Sequence, residues 1–415
     1  MKKRLFSCIA TVAAMLVLGS VTVLAAPADR FDDVLEDAWY VEDINYVIQN
    51  NLMNGMSDTF FGPDDLMTRG QFVAMLGRLA GVEDASITDP QKTVFNDVNA
   101  TDYYASHVAW ASELGIVKGI DETSFAPNAN VTREQMAALV ARFSKLSRVY
   151  LPTEASNFAD DAFIADYARE AVYGMKSVGI LQGVGDNYFA PRGYTSRAAA
   201  AKVVRCYMEY EPVDTAVISI EKFTLGQGYI LIPSVVPLED HATVDSVLHQ
   251  VSSECGISLK FNTSYGYLTY VEDRENTILD IPAFILEEMA KSQTNLGDRT
   301  NETFLGEYDY TPQAGWLYWV NNTPASVSAN EYFIGDCDVV RFQFSLYGYG
   351  ADLGRADDWT IPYQTSADKD ELMMAVAWAN DSDDDAYTHA LEVLTDLEST
   401  QDEVDAALQA LPSLK

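Results

Sequence analysis

The sequence predicts a multidomain protein: an all-α bundle of three helix–loop–helix repeats, then an α+β sheet domain, then a short α-helical bundle. Three observations carry this. One set of motifs recurs three times, with Phe31, Phe95 and Phe158 spaced 64 and then 63 residues apart. Between 214 and 350 the helical period gives way to runs rich in Val, Ile, Tyr and Phe, separated by turn residues. After 367 a helical period returns. At 415 residues the chain is long enough for several separate cores.

The chain opens with MKKRLFSCIATVAAMLVLGSVTVLAA, a basic start, an apolar middle and small residues at its end. Residues 1–25 read as a secretory signal peptide cleaved after Ala25. No later stretch approaches the roughly 18 apolar residues that span a bilayer, so no membrane attachment is expected after cleavage. The mature protein is therefore expected to be exported, and soluble or wall-bound. Charge narrows the function. With 62 acidic against 27 basic residues the net charge is −35, which excludes a nucleic-acid or polyanion binder acting through bulk charge. Anion binding must be local. Beyond the leader stand Cys206, Cys255 and Cys337, too few and too scattered for a disulfide framework or a zinc site. A Cys255–Cys337 bridge and buried thiols both remain open.

Each repeat starts on Phe-x-Asp: Phe31 and Asp33, Phe95 and Asp97, Phe158 and Asp160. An aromatic position follows (Trp39-Tyr40, Tyr103-Tyr104, Tyr167), then an amphipathic helix. The helix runs into a turn marked by Gly55, Gly119 or Gly183. Eight residues later comes the proline of Phe-x-Pro (Pro63, Pro127, Pro191), and six after that an arginine: Arg69, Arg133 or Arg197. The arginine follows a hydroxyl residue, Thr68, Thr132 or Ser196, which is a good helix N-cap. Gln71 and Gln135 complete capping boxes in the first two copies. A cation in the first helical turn opposes the helix dipole, so stability alone does not explain it. Together with free helix N–H groups it suits an anion.

Phe-x-Asp-Val, Trp-Tyr, Gly-Ile-x-x-Gly, Phe-x-Pro and Thr-Arg-x-Gln, in that order across about 31–205, resemble the S-layer homology family. The resemblance implies a pseudo-trimer of repeats at 27–88, 91–150 and 154–211. It implies non-covalent anchoring to a secondary cell-wall polysaccharide, often one bearing pyruvate ketals. Carried over residue by residue, it makes Arg69, Arg133 and Arg197 the polymer-binding candidates, with Trp39, Tyr103, Gly55, Gly119 and Gly183 shaping grooves between neighbouring repeats. A surface ion pair is the bland alternative for the arginines. The third copy departs from the pattern, with Ser196-Arg197-Ala198-Ala199 lacking the capping glutamine and Tyr167 standing alone, so a third groove is in doubt.

In 214–350, residues 216–225, 228–233, 258–261 and 266–271 read as strands and 243–254 as a helix. Gly315-Trp316-Leu317-Tyr318-Trp319-Val320-Asn321-Asn322 reads as a strand entering a turn, and Gly335-Asp336-Cys337-Asp338-Val339 leads into the final alternating strand. These two segments resemble the transcobalamin-like C-terminal domain, which implies a ubiquitin-like or grasp-like sheet. Trp316, Tyr318 and Trp319 form a candidate ligand surface for sugar or corrinoid. Strand alternation puts Trp316 and Tyr318 on one side and Trp319 on the other, as core packing also would. Residues 351–367 read as a linker, and 368–415 as three short helices resembling the FIVAR-type module, a spacer or sugar-binding element. Asp381, Asp383, Asp385 and Glu392 sit at calcium-loop spacing, but Ala386 replaces the required glycine and no metal is expected.

No catalytic motif appears, and the four histidines are scattered. The expectation is a non-enzymatic, cofactor-free surface protein, anchored by its repeats and displaying a binding or spacer module with an unknown ligand for 214–350. Two alternatives stand beside it: a corrinoid- or glycan-capturing surface protein, and a wall-bound hydrolase.

Overall fold

A computed structural model describes residues 27–84, 95–152, 158–262, 266–273, 278–356, 360–379 and 384–412. The proposed leader, and Asp381 and Asp383 of the acidic loop, lie outside the described residues. The chain divides into two compact units. One comprises the residues up to Asp65 with Ser196–Arg205; the other comprises Leu66–Thr195 with Cys206–Lys415. Among the described residues no helix is long and apolar enough to cross a membrane.

The repeats supply six helices: α1 (Val41–Gln49), α2 (Arg69–Leu79), α3 (Ala105–Glu113), α4 (Arg133–Leu146), α5 (Asp166–Ser177) and α6 (Arg197–Glu209). The capping boxes form as the sequence demands. Thr68 Oγ1 accepts from Gln71 N (3.3 Å) while Gln71 Oε1 accepts from Thr68 N (3.0 Å). Thr132 and Gln135 do the same at 3.3 and 3.2 Å. In the third copy Ser196 Oγ still accepts from Ala199 N (3.2 Å), so one bond of the pair survives without the glutamine. The residues just before these caps are buried and bond in a closed cycle: Met67 N to Thr195 O (2.9 Å), Val131 N to Met67 O (2.9 Å) and Thr195 N to Val131 O (3.0 Å).

The recurring aspartate has a clear task. Asp33 accepts from Phe61 N and Gly62 N (2.8 and 2.6 Å), Asp97 from Phe125 N and Ala126 N (2.8 and 2.7 Å), Asp160 from Phe189 N and Ala190 N (2.8 and 2.7 Å). Each carboxylate thereby folds the Phe-x-Pro loop back onto the start of its own repeat. The middle residue of that loop is left-handed, with φ of 74° at Gly62, 57° at Ala126 and 55° at Ala190. Only glycine adopts this without strain. Ala126→Gly and Ala190→Gly are each expected to raise stability by about 0.5 kcal/mol, relief of strain exceeding the added chain entropy. Melting temperatures check this: two unchanged or lowered values would contradict it.

The sheet domain places β1 (Thr215–Glu221), β2 (Tyr229–Pro237), β6 (Gly315–Val320), β7 (Thr323–Pro324) and β8 (Val339–Ser345) in one sheet, order β2-β1-β8-β6-β7, with β1 and β8 parallel. A second sheet holds β3 (Leu259–Asn262), β4 (Tyr267–Glu272) and β5 (Phe304–Gly306). Helices α7 (Val244–Glu254) and α8 (Ala283–Lys291) complete it. Ala216, Ile218 and Ile220 of β1, with Val340, Phe342 and Phe344 of β8, pack into one core with Val247, Leu248, Ile285 and Met289.

The opposite face of the larger sheet is covered too. Val217 and Val339 pack with the C-terminal helices α9 (Asp370–Ala377), α10 (Asp385–Thr395) and α11 (Gln401–Ala410), through Leu372, Val376, Ala390 and Leu394. Further along that face Glu221 accepts from Arg341 Nε and Nη2 (2.9 and 2.8 Å), from Gln343 Nε2 (2.7 Å) and from Ser219 Oγ (2.6 Å), all buried. Lys369, just ahead of α9, donates to the carbonyls of Val393, Leu394 and Asp396 (3.0, 3.1 and 2.5 Å) and so caps the C-terminus of α10.

Of the stretch expected as a linker, residues 351–356 and 360–367 are built into this arrangement. Buried Asp352 accepts from Leu346 N, Tyr347 N and Ser345 Oγ (2.7, 2.9 and 2.8 Å), and Gln364 Nε2 donates to Leu397 O (2.7 Å). Among the described residues no disulfide joins Cys206, Cys255 or Cys337, so there is no Cys255–Cys337 bridge. Cys255 and Cys337 are exposed and Cys206 half-buried, which corrects the expectation of buried thiols.

Candidate functional site

The three arginines make the same contacts in their three settings. Arg69 Nε donates to Phe125 O (2.9 Å) and Nη2 to Lys118 O (3.4 Å). Arg133 Nε donates to Phe189 O (2.8 Å) and Nη2 to Gln182 O (2.5 Å). Arg197 Nε donates to Phe61 O (2.9 Å) and Nη2 to Asn54 O (2.7 Å). Each guanidinium lies over the ring of that same phenylalanine, 4.6–4.9 Å from its centroid. Each arginine thus clamps the loop of another repeat: the first holds the second, the second the third, and the third the first.

This explains an arginine at a helix N-terminus. Its unfavourable meeting with the dipole is offset by two carbonyls and an aromatic face. The surface ion-pair reading does not hold, since Arg69 and Arg197 are only 6% and 4% exposed. Burial lowers the pKa of Arg69 and Arg133, although a guanidinium stays charged at any physiological pH. Two of the five N–H donors of Arg69 and of Arg133 are engaged in this way among the described residues. The third copy keeps its clamp in full despite the lost glutamine.

The glycines serve the same loops by close approach. A Cβ on Gly55 would meet Phe31 at 2.4 Å and Ser57 O at 2.5 Å; on Gly119, Asp121 O at 2.2 Å; on Gly183, Tyr188 O at 2.6 Å. The aromatics behave differently. Trp39, Tyr103 and Tyr167 occupy one register position, each 16 residues before its repeat's glycine, and are 62%, 47% and 54% exposed. Their chain neighbours Tyr40, Tyr104 and Ala168 are buried. Tyr40 and Tyr104 brace Trp39 and Tyr103 edge-on, with centroids 5.3 and 5.1 Å apart.

Cations accompany two of these exposed aromatics. Lys202 Nζ lies over Trp39, 5.5 Å from its centroid. The Tyr167 phenol is pushed up mainly by burial and then by Glu134, while Arg142 and Arg69 act the other way, so both guanidiniums are within electrostatic reach. Lys202 escaped the motif reading because the other copies carry Ala74 and Ala138 at that position; Arg142 recurs as Arg78 in the first copy, but the third carries Cys206 there. An exposed ring beside a cation suits a pyranose that carries an acidic group.

In the sheet domain Trp316 and Trp319 are buried and Tyr318 is half-buried. Trp316 Nε1 donates to Leu305 O (2.9 Å) and the Tyr318 hydroxyl to Val327 O (2.6 Å), which are structural uses of both polar tips.

The family described as S-layer homology domain matches residues 30–73, 94–137 and 157–201, so the chain carries three S-layer homology repeats. An amylopullulanase of Thermoanaerobacterium thermosulfurigenes is 33% identical over 43% of this chain and 9% of its own. The exoglucanase XynX of Acetivibrio thermocellus is 29% identical over 47% of this chain and 18% of its own. The S-layer protein sap of Bacillus anthracis is 27% identical over 47% and 23%. This chain therefore spans under a quarter of the length of these relatives. A haptocorrin crystal structure covers 74% of each chain at 9% identity, and its TM-score of 0.19 is too low to carry an argument.

Proposed function

We propose that the three repeats hold this protein non-covalently on a secondary cell-wall polysaccharide, and that residues 214–415 form a non-enzymatic module displayed there. The protein belongs to the cell surface, in keeping with its repeats and with relatives such as the S-layer protein and a cell surface protein of Thermoanaerobacter kivui. The observation that carries the anchoring reading is the equivalent exposure of Trp39, Tyr103 and Tyr167 at one register position of all three repeats, each directly before a buried residue.

In this reading the arginine clamps fix the loops, and the exposed ring of each repeat takes a sugar of an acidic polymer, pyruvate ketals among the acidic groups it can carry. The closed cycle through Met67, Val131 and Thr195 supports a pseudo-trimer of the repeats at 27–88, 91–150 and 154–211. The intact Arg197 clamp supports a third functional groove. Shared similarity with glycosidases runs through the repeats, which gives no ground for a hydrolase here.

Sedimentation with purified cell walls tests the proposal. The triple variant Trp39→Ala, Tyr103→Ala, Tyr167→Ala is expected to lose co-sedimentation at least tenfold, because each stacking contact contributes about 1 kcal/mol. Its melting temperature should stay near that of the parent, since the rings are exposed. Undiminished sedimentation of a folded triple variant would overturn the assignment.

A further inference from the structure

Strand β5 runs into a turn that packing alone does not explain. Tyr308 and Tyr310 both have left-handed backbone, with φ of 65° and 68°. That conformation is strained for a bulky side chain and persists only where the surroundings impose it. Here they do. Asp309, fully buried, accepts from Thr300 N (2.7 Å), Thr300 Oγ1 and Gly306 N (2.8 Å), and Tyr308 N donates to Ala314 O (3.1 Å). Tyr310 offsets its strain by packing into the sheet-domain core. Tyr308 does not: it is 64% exposed, and glycine would hold the turn with less strain. Beside it stands Glu307, half-buried, whose carboxylate has no hydrogen-bond or ion-pair partner among the described residues. Burial raises its pKa above the ordinary value. The Tyr267 hydroxyl and Glu307 Cγ lie 2.7 and 3.9 Å from where a Cβ on Gly315 would stand, so both converge over the bare backbone that opens β6. The Tyr267 phenol is pushed up by burial first, then by Glu307 and by Tyr308, so the three groups lie within electrostatic reach of one another.

We propose that Glu307, Tyr308 and Tyr267 form a receptor for an organic ammonium group, held by the Glu307 carboxylate with the exposed Tyr308 ring against it. A carboxylate without a partner gains a counter-charge and an exposed ring gains a cation, and the two attractions reinforce each other. Among the described residues no cation meets this need. Residues 214–350 hold 19 acidic side chains against 6 basic ones; Lys222 and Arg299 are tied to Asp273, Arg341 to Glu221 and Lys291 to Glu288. An anion is repelled here, and a neutral sugar could stack on the ring but would leave the carboxylate's charge unmet. The ammonium can belong to a free amine or to a lysine of another polypeptide. This site is independent of wall anchoring.

Saturation-transfer NMR titration of the whole protein, in about 0.15 M salt to screen its net charge, tests this with n-butylammonium and with a capped Gly-Lys-Gly peptide. Saturable binding is expected, with a Kd of about 1 mM for the amine. Equal affinity assigns the site to free amines, and a peptide about tenfold tighter assigns it to a polypeptide lysine; both uphold the ammonium. The same peptide with norleucine for lysine, and methyl β-glucoside, should bind at least about tenfold more weakly than the amine. Glu307→Gln should weaken the amine about tenfold, a loss that non-specific attraction to a chain of charge −35 would not register. Tyr308→Gly should weaken it about fivefold yet melt no lower than the parent, because the exchange relieves strain. The proposal is overturned if the amine shows no saturable binding, if the glucoside or the norleucine peptide binds as tightly, or if either variant binds like the parent. A Tyr308→Gly protein that melts well below the parent overturns it too, since the tyrosine is then kept for packing.

Discussion

Glu221→Leu is expected to lower the unfolding free energy of the sheet domain by about 3–5 kcal/mol, whereas Glu221→Leu with Arg341→Met should fall within about 1–2 kcal/mol of the parent. The pair is sealed between the larger sheet and the C-terminal helices, and Glu221 spends both oxygens on four donors. Burial alone would lower the pKa of Arg341, but the facing carboxylate outweighs it and raises the net value above the ordinary one. Removing Glu221 alone leaves that guanidinium buried without its counter-charge, and this dominates the cost. Removing both charges takes away the desolvation penalty together with the attraction. Urea unfolding followed by tryptophan fluorescence reads mainly this part of the chain, which holds Trp316, Trp319, Trp359 and Trp378, four of the six tryptophans. A single variant as mild as the double would show that water reaches the site and that the two layers are not sealed.

That interface marks where the sequence reading stopped. Strand β1 was legible from its β-branched run, and its end at Glu221 was not, because a charge in a strand reads as solvent-facing. The run Thr215–Glu221 and its parallel neighbour Val339–Ser345 are buried along their whole length. Such two-sided burial belongs to strands covered on both faces. Ser219, Glu221, Arg341 and Gln343 look exposed to any pattern rule, and only the partner helices show otherwise. Helix α8 was missed for a different reason, since nine residues hold barely two turns of period. In the repeats nearly every element was legible, because three copies made the spacing visible. Their chemistry was only half legible. Motif position singled out Arg69, Arg133 and Arg197, yet could not distinguish an arginine facing a groove from one donating to carbonyls 49 to 143 residues away. The aspartate of Phe-x-Asp stood in plain view without a stated role, because its partners are backbone N–H groups that carry no sequence signature.

Asp160→Ala is accordingly expected to cost about 2–5 kcal/mol, more than an ordinary loop substitution, since it strips two charge-assisted bonds from backbone donors of a packed loop. Asp160 and Phe189 are both buried, so water does not readily replace the carboxylate. The loss should not stop there. Asp160 fixes Phe189 N and Ala190 N, and the carbonyl of the same Phe189 receives Nε of Arg133 at 2.8 Å. Without the aspartate the acceptor is no longer held where the guanidinium can use it. Arg133→Ala alone should cost about 2–3 kcal/mol, and the double variant should cost at least about 1 kcal/mol less than the sum of the two. Thermal unfolding of the four proteins measures this coupling; strict additivity would mean that the aspartate and the arginine hold the loop independently. The same cycle bears on anchoring. An arginine variant that stops sedimenting with cell walls has also released a neighbouring loop, so its loss does not by itself separate binding from folding. The exposed aromatics carry no such double duty, and for that reason Trp39, Tyr103 and Tyr167, rather than the arginines, are the residues on which wall attachment is decided.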